Sequence, residues 1–338
     1  MNNPNSHNLK PRTSVVFWGT PEFALPALAA LFKNGYDIMA VITNPDKPVG
    51  RKQLLTSPPT KVWAEKHKIP VFQPNSLEIG NWKLEIPHAD IYIIASYGKI
   101  IPKEILNLPR FGAVNIHPSI LPCWRGPSPI QYTILNGDMK TGVTIMKTDE
   151  RMDHGPILAQ QEFPISPPEA RLAKSGKSQI SKLTYKELHN ELAKLGAELL
   201  MDTLLKWIAG EITPIPQNDA KATYSKILKK DDGRINWKKP AGEIERMVRA
   251  FNPWPGTWTL WPTNKKIMRL RIESAEFDDS ESLEGSPGFI WQKPDGGICV
   301  KTGHGSLVLK EITPSGKKVM SANAFCLGYK NFIGSNLI

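Results

Sequence analysis

Short apolar runs of strand length alternate with helical patterns through the first part of the chain. Apolar runs occupy residues 14–19 and 36–43, and residues 23–33 between them carry apolar side chains at helical spacing. Pro21 and Glu22 precede that helix, where proline fits the first turn and a carboxylate stabilises the positive helix end. This order of elements predicts an α/β fold with a parallel sheet. Further strands are predicted at residues 71–72, 90–95, 113–117, 141–146 and 157–163, and further helices at residues 61–67 and 184–208.

The pattern changes after residue 225. A helix at residues 241–251 is followed by short strands that glycine and proline punctuate, which predicts a small β-barrel of the OB-like type. Residues 211–225 contain two prolines among alternating polar residues, so we predict a linker there. The predicted domains are therefore residues 14–210 and 226–338, after a disordered lead-in at residues 1–13. The barrel strands are predicted at residues 257–261, 267–274, 288–291, 298–301 and 307–312.

Composition and charge lead us to expect a cytoplasmic protein with an anionic partner. The net charge of +11 favours a polyanion such as nucleic acid, although the basic residues are spread along the chain. Three cysteines (Cys123, Cys299 and Cys326) cannot all pair, and we expect them to be reduced. The N-terminus lacks the apolar centre of a signal peptide, and no apolar run reaches the ~20 residues of a membrane helix. We therefore expect a cytoplasmic protein that does not enter a membrane.

Residues 44–60 are predicted to form a long loop. They hold four prolines, one glycine and three basic residues. Loops of this length in compact domains are usually functional or disordered. From these residues alone, both a flexible basic surface loop and a functional loop remain open.

A group of side chains suited to acyl transfer follows the predicted strand 113–117. Asn115 and His117 share a face of that strand, at the end where open α/β sheets place their ligands. Asp153 lies in a turn-like stretch farther along the chain. Acyl transfer to an amine needs a donor for the oxyanion, a group that exchanges a proton, and a carboxylate that orients it. Spacing alone leaves a structural role open as well, because an aspartate in a turn is often a cap.

The segment from Asn115 to Ile130 resembles the signature of the formyltransferases that use 10-formyltetrahydrofolate as formyl donor. The matching positions are Asn115, His117, Ser119, Leu121, Pro122, Arg125, Gly126, Pro129 and Ile130. The resemblance implies a Rossmann-like sheet in the N-terminal domain. It also implies that Asn115, His117 and Asp153 are catalytic. The residues that it places at the folate co-substrate are Tyr97, Gly98, Ser119, Ile120, Leu121 and Pro122.

Three more stretches are similar to the members of this family that formylate methionyl initiator tRNA. They are residues 17–24, 44–51 and 249–255. The resemblance implies a methionyl initiator tRNA partner, a loop at residues 44–60 that enters the acceptor end, and a barrel that adds a second RNA surface. The implied tRNA-binding residues are Lys47, Arg51, Lys52, Lys61 and Arg249. We expect a monomer without NAD, since residues 19–22 are not a dinucleotide fingerprint, and without a metal.

Other functions remain open at this point. They are a formyltransferase of the same family that acts on a small amine, a non-catalytic RNA-binding protein on this scaffold, and hydrolysis of formylfolate. A polar basic stretch at residues 167–182 is predicted to be a surface insertion. Four tryptophans of the barrel could stack on bases or fill the core, and we favour the core: Trp237, Trp254, Trp258 and Trp261.

Overall fold

The computed structural model describes residues 13–50, 52–77, 86–165, 183–263, 266–279 and 285–338. The predicted lead-in (apart from Thr13) and the insertion at 167–182 lie outside these residues. The chain divides into two compact units. The first takes Met1–Pro129, Lys140–Pro164 and His189–Ser225, and the second takes Ile130–Met139, Ile165–Leu188 and Lys226–Ile338. Residues 211–225, predicted as a linker, group with the first unit.

The first unit is built on a mixed sheet. Its strands are β1 (Ser14–Gly19), β2 (Asp37–Ile42), β5 (Val71–Phe72), β6 (Ile91–Ala95), β7 (Ala113–His117), β8 (Lys140–Lys147) and β9 (Ile157–Pro164). Their order is β5-β2-β1-β6-β7-β8-β9. The first five are parallel, as predicted, whereas β8 and β9 are antiparallel. All five residues of β6 are buried, which explains its uninterrupted apolar sequence.

Helices flank this sheet. They are α1 (Leu25–Lys33), α2 (Pro59–Lys66), α3 (Lys103–Leu106) and α5 (Tyr185–Ile208), while α4 (Pro129–Asn136) lies almost wholly in the second unit. Helix α5 approaches the sheet closely at Gly196, where a Cβ atom would meet Ile116 Cγ2 at 2.8 Å and Val143 Cγ1 at 3.4 Å. Glycine at this position thus permits α5 to pack closely against strand β7. No helix of the described residues is long and apolar enough to cross a bilayer.

Residues 44–60 are not a plain loop, contrary to the sequence prediction. They contain a two-stranded antiparallel hairpin of β3 (Lys47–Val49) and β4 (Leu54–Thr56). Three apolar side chains of this hairpin are exposed: Val49 is 56% exposed, Leu54 63% and Leu55 71%. The hairpin buries no face of its own, so its sequence lacks the alternation by which strands are recognised.

The second unit carries an antiparallel sheet, as predicted. Its strands are β10 (Thr257–Pro262), β11 (Ile267–Asp278), β12 (Ile290–Gln292), β13 (Ile298–Lys301), β14 (Ser306–Pro314) and β15 (Met320–Ser321), and its helices include α6 (Ala241–Phe251) and α7 (Ala322–Gly328). The path runs β10-β11-β14-β13-β12, with β15 on β14. The C-terminal segment joins the two edges: Leu337 N donates to Gly288 O (2.9 Å), and Leu260 and Ile338 exchange both backbone hydrogen bonds (2.9 and 3.0 Å). This pairing closes the sheet into a barrel.

Aromatic side chains fill the second unit. Trp237 is 5% exposed and Trp261 3%, and the Trp261 ring packs edge-on against Phe325 and Phe332. Trp258 is also buried, whereas Trp254 is 54% exposed. The core assignment therefore holds for three of the four tryptophans and fails for Trp254, which solvent reaches.

Candidate active site

Strand β7 carries Asn115 and His117 towards its carboxyl end. Asn115 pairs with Ile94 of β6 on one side and with Met146 of β8 on the other, so it lies in the middle of the sheet. It is half-buried, while His117 is 4% exposed. Alternation along the strand places both side chains on one face, as predicted.

The imidazole of His117 lies between two acceptors. Its Nδ1 is 3.5 Å from Asp153 Oδ1, and its Nε2 is 3.0 Å from the carbonyl oxygen of Trp124. A neutral imidazole donates one hydrogen bond and an imidazolium donates two. This environment therefore accommodates the cation that His117 becomes when it accepts a proton. The structure thus brings two of the three predicted catalytic residues together from distant parts of the sequence.

Asp153 is held in an unusual backbone conformation. Its φ of +51° lies in the left-handed region, which is uncommon for non-glycine residues and costs energy, although aspartate tolerates it better than most. The Gly126 backbone N–H donates to Asp153 Oδ2 at 2.8 Å, which leaves Oδ1 facing His117. Gly126 belongs to the loop between β7 and α4, residues 118–128, here called the signature loop, and this loop thus orients the carboxylate directly.

Hydrogen bonds from β8 and β9, and one within the loop, hold the loop after β7 in place. Thr144 of β8 donates from Oγ1 to the Ser119 carbonyl (2.7 Å) and accepts from Leu121 N (3.0 Å). Gln160 Nε2 donates to the Leu121 carbonyl at 2.8 Å, and the Ser119 hydroxyl donates to Cys123 O at 2.5 Å. The residues assigned to folate here, Ser119 to Pro122, therefore present a rigid segment. Leu121 is buried and Ile120 half-buried.

Tyr97 and Gly98 follow β6, the parallel neighbour of β7, and thus lie at the same sheet edge as the signature loop. Gly98 has φ +80°, and among the described residues a Cβ there would have only Asn44 Nδ2 within 4 Å, at 3.8 Å, so there is space beside its Cα atom. The Tyr97 hydroxyl is buried without a hydrogen-bond partner among the described residues, and burial raises its pKa to about 12. The Tyr97 ring packs against Trp18 in the hydrophobic core and is 2% exposed, so its hydroxyl is not accessible to a ligand in this structure.

The basic residues predicted to bind tRNA differ in how far they are exposed to solvent. Lys47 and Lys52 of the hairpin are exposed, and Arg51 lies outside the described residues. Lys61 is only 19% exposed, because its Nζ lies 2.9 Å from both carboxylate oxygens of Asp46. Hydrogen bonds from Gln73 and from Lys61 lower the pKa of Asp46 to about 2. Lys61 thus anchors the base of the hairpin.

Arg249 of α6 is also occupied within the protein. Its Nε donates to Glu245 Oε1 at 2.7 Å, its Nη1 donates to the Leu183 carbonyl at 2.9 Å, and its side chain is 11% exposed. Glu245 is 6% exposed. A buried pair of this kind neutralises the charge that phosphate contact would need.

A network that was not predicted from the sequence surrounds the Asp153 turn. Gln217 and Asp219, on the segment predicted as a linker, contact Arg125 of the signature, and Gln217 also contacts the Asp153 backbone. Arg125 matches a position of the signature, but the resemblance implies no role for it. No spacing rule connects it to Gln217, because their contact depends on how a distant segment folds back.

No three His, Cys, Asp or Glu side chains meet as metal ligands within the described part of the chain.

Two family patterns match the chain. Residues 12–200 match the formyl transferase family, and residues 227–330 match the formyl transferase C-terminal domain. Curated relatives cover almost the whole chain. A methionyl-tRNA formyltransferase of Myxococcus xanthus is 40% identical over 326 residues, which is 96% of this chain and 97% of the relative. One from Synechococcus sp. (strain JA-2-3B'a(2-13)) is 42% identical over 314 residues, 91% of this chain and 93% of the relative.

Solved structures share the fold at low identity. An N-formyltransferase of Helicobacter canadensis, in complex with folinic acid and dTDP-3-aminofucose, aligns with a TM-score of 0.59 and 20% identity, over 88% of this chain and 98% of that one. HypX of Aquifex aeolicus, in complex with tetrahydrofolic acid, aligns with a TM-score of 0.57 and 16% identity, over 96% of this chain and 48% of that one. The family patterns and the full-length relatives together show that this chain belongs to the formyl transferase family.

Proposed function

We propose that the protein transfers the formyl group of 10-formyltetrahydrofolate to the α-amino group of methionyl initiator tRNA. The observation that carries the proposal is the pairing of His117 with Asp153, in a chain that matches methionyl-tRNA formyltransferases over more than nine-tenths of its length. The product would serve translation initiation in the cytoplasm. We propose further that the protein acts as a monomer.

The chemistry is direct transfer between two bound substrates. The unprotonated amine attacks the formyl carbon, a new C–N bond forms, and the bond from that carbon to N10 of the folate breaks. The formyl oxygen carries negative charge during attack, and a positioned donor stabilises it. Asn115 is the proposed donor, because its half-buried amide lies on the same face of β7 as the imidazole, two residues earlier.

His117 and Asp153 manage the proton in this scheme. The attacking amine loses a proton as it forms the new bond, and the leaving N10 gains one. His117 accepts and returns this proton, and Asp153 stabilises the imidazolium, as its position beside Nδ1 permits. The Nε2 contact with the Trp124 carbonyl has to give way before this nitrogen can reach a substrate atom.

The co-substrate is proposed to bind between the carboxyl ends of β6 and β7. Gly98 has φ +80° and the Tyr97 side chain packs in the core, so the backbone of these two residues is the proposed contact with the co-substrate. The segment from Ser119 to Pro122 supplies the opposite wall, which the Thr144 and Gln160 contacts hold rigid. A rigid wall costs less entropy on binding than a mobile one.

The hairpin of β3 and β4 is the proposed contact for the acceptor end of the tRNA. It combines exposed cations, Lys47 and Lys52, with exposed apolar side chains such as Leu54 and Leu55. Cations attract phosphates at any sequence, and apolar groups pack against unpaired bases. Arg51 stays a proposed contact from the sequence alone.

A panel of acceptors tests the proposal. Labelled 10-formyltetrahydrofolate is incubated with methionyl initiator tRNA, free methionine, an amino sugar nucleotide, or buffer alone. We expect label on the tRNA ester and little on the other acceptors. Transfer to the amino sugar nucleotide in preference to tRNA would assign a small-amine activity instead. Release of formate in buffer alone, at the rate of transfer, would assign hydrolysis.

A further inference from the structure

The segment that follows α5, residues 211–225, pairs through its backbone with β9 and with the signature loop. Ile215 and Ile157 exchange backbone hydrogen bonds of 2.8 and 2.9 Å. Farther along, Arg125 N donates to Thr223 O (2.9 Å), and Ser225 N donates to Arg125 O (2.7 Å). At Gly126, with φ +109°, a Cβ atom would lie 2.5 Å from the Ser225 carbonyl oxygen, so glycine is needed for this approach. The segment between these two anchors is therefore fixed at both ends.

Gln217 lies between these two anchors, and both polar atoms of its side-chain amide form hydrogen bonds. Its Nε2 donates to the Asp153 carbonyl at 3.0 Å and to the Gly155 carbonyl at 2.7 Å. Its Oε1 accepts from Arg125 Nε at 3.0 Å and from Arg125 Nη2 at 2.8 Å. One amide therefore connects the signature loop with both sides of the turn that carries Asp153.

Arg125 and Asp219 complete the support. Arg125 is 3% exposed, and its Nη2 also contacts Asp219 Oδ1 at 2.8 Å. The other oxygen of Asp219 is 3.2 Å from His154 Nε2, and His154 Nδ1 is 3.1 Å from Asp149. Hydrogen bonds from Arg125, and then from His154, hold the pKa of Asp219 below its usual range. A buried guanidinium needs such partners, because an unpaired buried charge is strongly destabilising.

We propose that Gln217 is a positioning residue for Asp153: it holds the carboxylate in the left-handed turn and so sets its approach to His117. The turn needs such a restraint, because the φ of +51° at Asp153 is a strained conformation for a residue with a side chain. Gln217 contacts only the backbone of the turn, so it acts through Asp153 and does not touch a reacting atom. The inference rests on the proposed formyl transfer.

Two variants separate the functions of the amide. Gln217→Ala removes all four contacts. Gln217→Glu keeps an acceptor for Arg125 but loses both donors to the turn, so it should fold while its Asp153 turn is released. We expect both to lower kcat at least about tenfold, since a displacement near 1 Å can cost about 100-fold. KM for methionyl-tRNA should stay within about twofold of wild type. The matched control is Gln161→Ala, an exposed glutamine of β9, which should retain wild-type kcat.

A double-mutant cycle shows whether the effect passes through Asp153. If it does, Gln217→Ala lowers kcat by less than about twofold when Asp153→Ala is already present. A further tenfold loss in that background would mean that Gln217 acts elsewhere and would overturn the inference. Wild-type kcat in Gln217→Glu would overturn it as well.

Hydrogen exchange tests the placement without any turnover. The Gly126 amide donates to the Asp153 carboxylate. It should exchange at least about tenfold faster in Gln217→Ala than in wild type or Gln161→Ala, because the released turn no longer presents the acceptor. Unchanged exchange would contradict the positioning role. If wild type formylates no acceptor, the proposed function fails, and the exchange comparison still decides what Gln217 does.

Discussion

The side-chain amide of Asn44 donates a hydrogen bond of 2.7 Å to the carbonyl oxygen of Tyr97. The same nitrogen lies 3.0 Å from Thr20 Oγ1, at the end of β1. Asn44 lies three residues before the hairpin strand β3, and Tyr97 precedes Gly98 in the proposed folate site. One side chain therefore connects the proposed tRNA contact with the proposed co-substrate site.

Replacing Asn44 should weaken co-substrate binding. Asn44→Ala leaves the Tyr97 carbonyl without this donor and frees the Gly98 turn, which costs about 1 kcal/mol. We expect the KM for formylfolate to rise about fivefold, measured at saturating methionyl-tRNA. The control is Asn34→Ala, an exposed asparagine that caps the end of α1. A KM equal to wild type in Asn44→Ala would remove Gly98 from the folate site.

The two exposed lysines of the hairpin should act through phosphates. Lys47→Ala and Lys52→Ala should each raise KM for methionyl-tRNA and make the slope of log KM against log salt less steep by about one unit. Lys206→Ala removes the same charge from an exposed position of α5 and should leave that slope unchanged. Equal slopes in all three variants would argue against RNA contact at the hairpin.

Arg249 should matter for stability. Arg249→Ala leaves Glu245 buried without its partner, which destabilises by about 3 kcal/mol. Urea unfolding measures this loss, and the double variant Arg249→Leu with Glu245→Leu should recover most of it. If Arg249→Ala instead raised KM for methionyl-tRNA at unchanged stability, the surface role predicted from the sequence would hold.

The Asp46 carboxyl should titrate far below its usual range. Its pKa falls from 3.8 to about 2, chiefly through the Gln73 hydrogen bond and then through Lys61. A lowered pKa contributes stability that is present above 3.8 and lost as pH falls through about 2. NMR titration should show a midpoint near 2 for wild type and a higher one for Gln73→Ala. A wild-type midpoint near 3.8 would contradict the hairpin anchor.

Elements that bury an apolar face were predictable from sequence. Strands at 113–117 and 298–301 and the helix at 241–251 have the predicted bounds, because each faces a core that fixes its pattern. The direction of β8 and β9 was not predictable, since a buried strand has the same apolar pattern in parallel and antiparallel pairs. The hairpin of β3 and β4 was missed because it exposes its apolar residues.

The part of the candidate site that lies on a single strand was predictable from the sequence. Asn115 and His117 share a face of β7 by alternation alone, whereas the approach of Asp153 depends on how a later turn packs. The resemblance implied a tRNA contact for Lys61 and Arg249, and a resemblance in sequence does not show that each cation pairs with a carboxylate inside the protein. For Arg249, a warning signal existed: Glu245 stands four residues earlier on the same helix, a spacing that favours an ion pair. For Lys61, no local signal identified Asp46.

The central claim is that Asn115, His117 and Asp153 perform formyl transfer to methionyl-tRNA. Each is proposed to contribute a group that acts during the reaction, so its removal should lower the rate by about 100-fold or more. Cys123 supplies the control: its side chain is exposed beside the site, and direct transfer needs no covalent nucleophile.

The most direct test is the single-turnover rate at which labelled formyl passes from 10-formyltetrahydrofolate to methionyl initiator tRNA. Wild type and Cys123→Ala should transfer label at the same rate. Asn115→Ala, His117→Ala and Asp153→Ala should each be slower by about 100-fold or more. Near-normal transfer in all three variants would contradict the account.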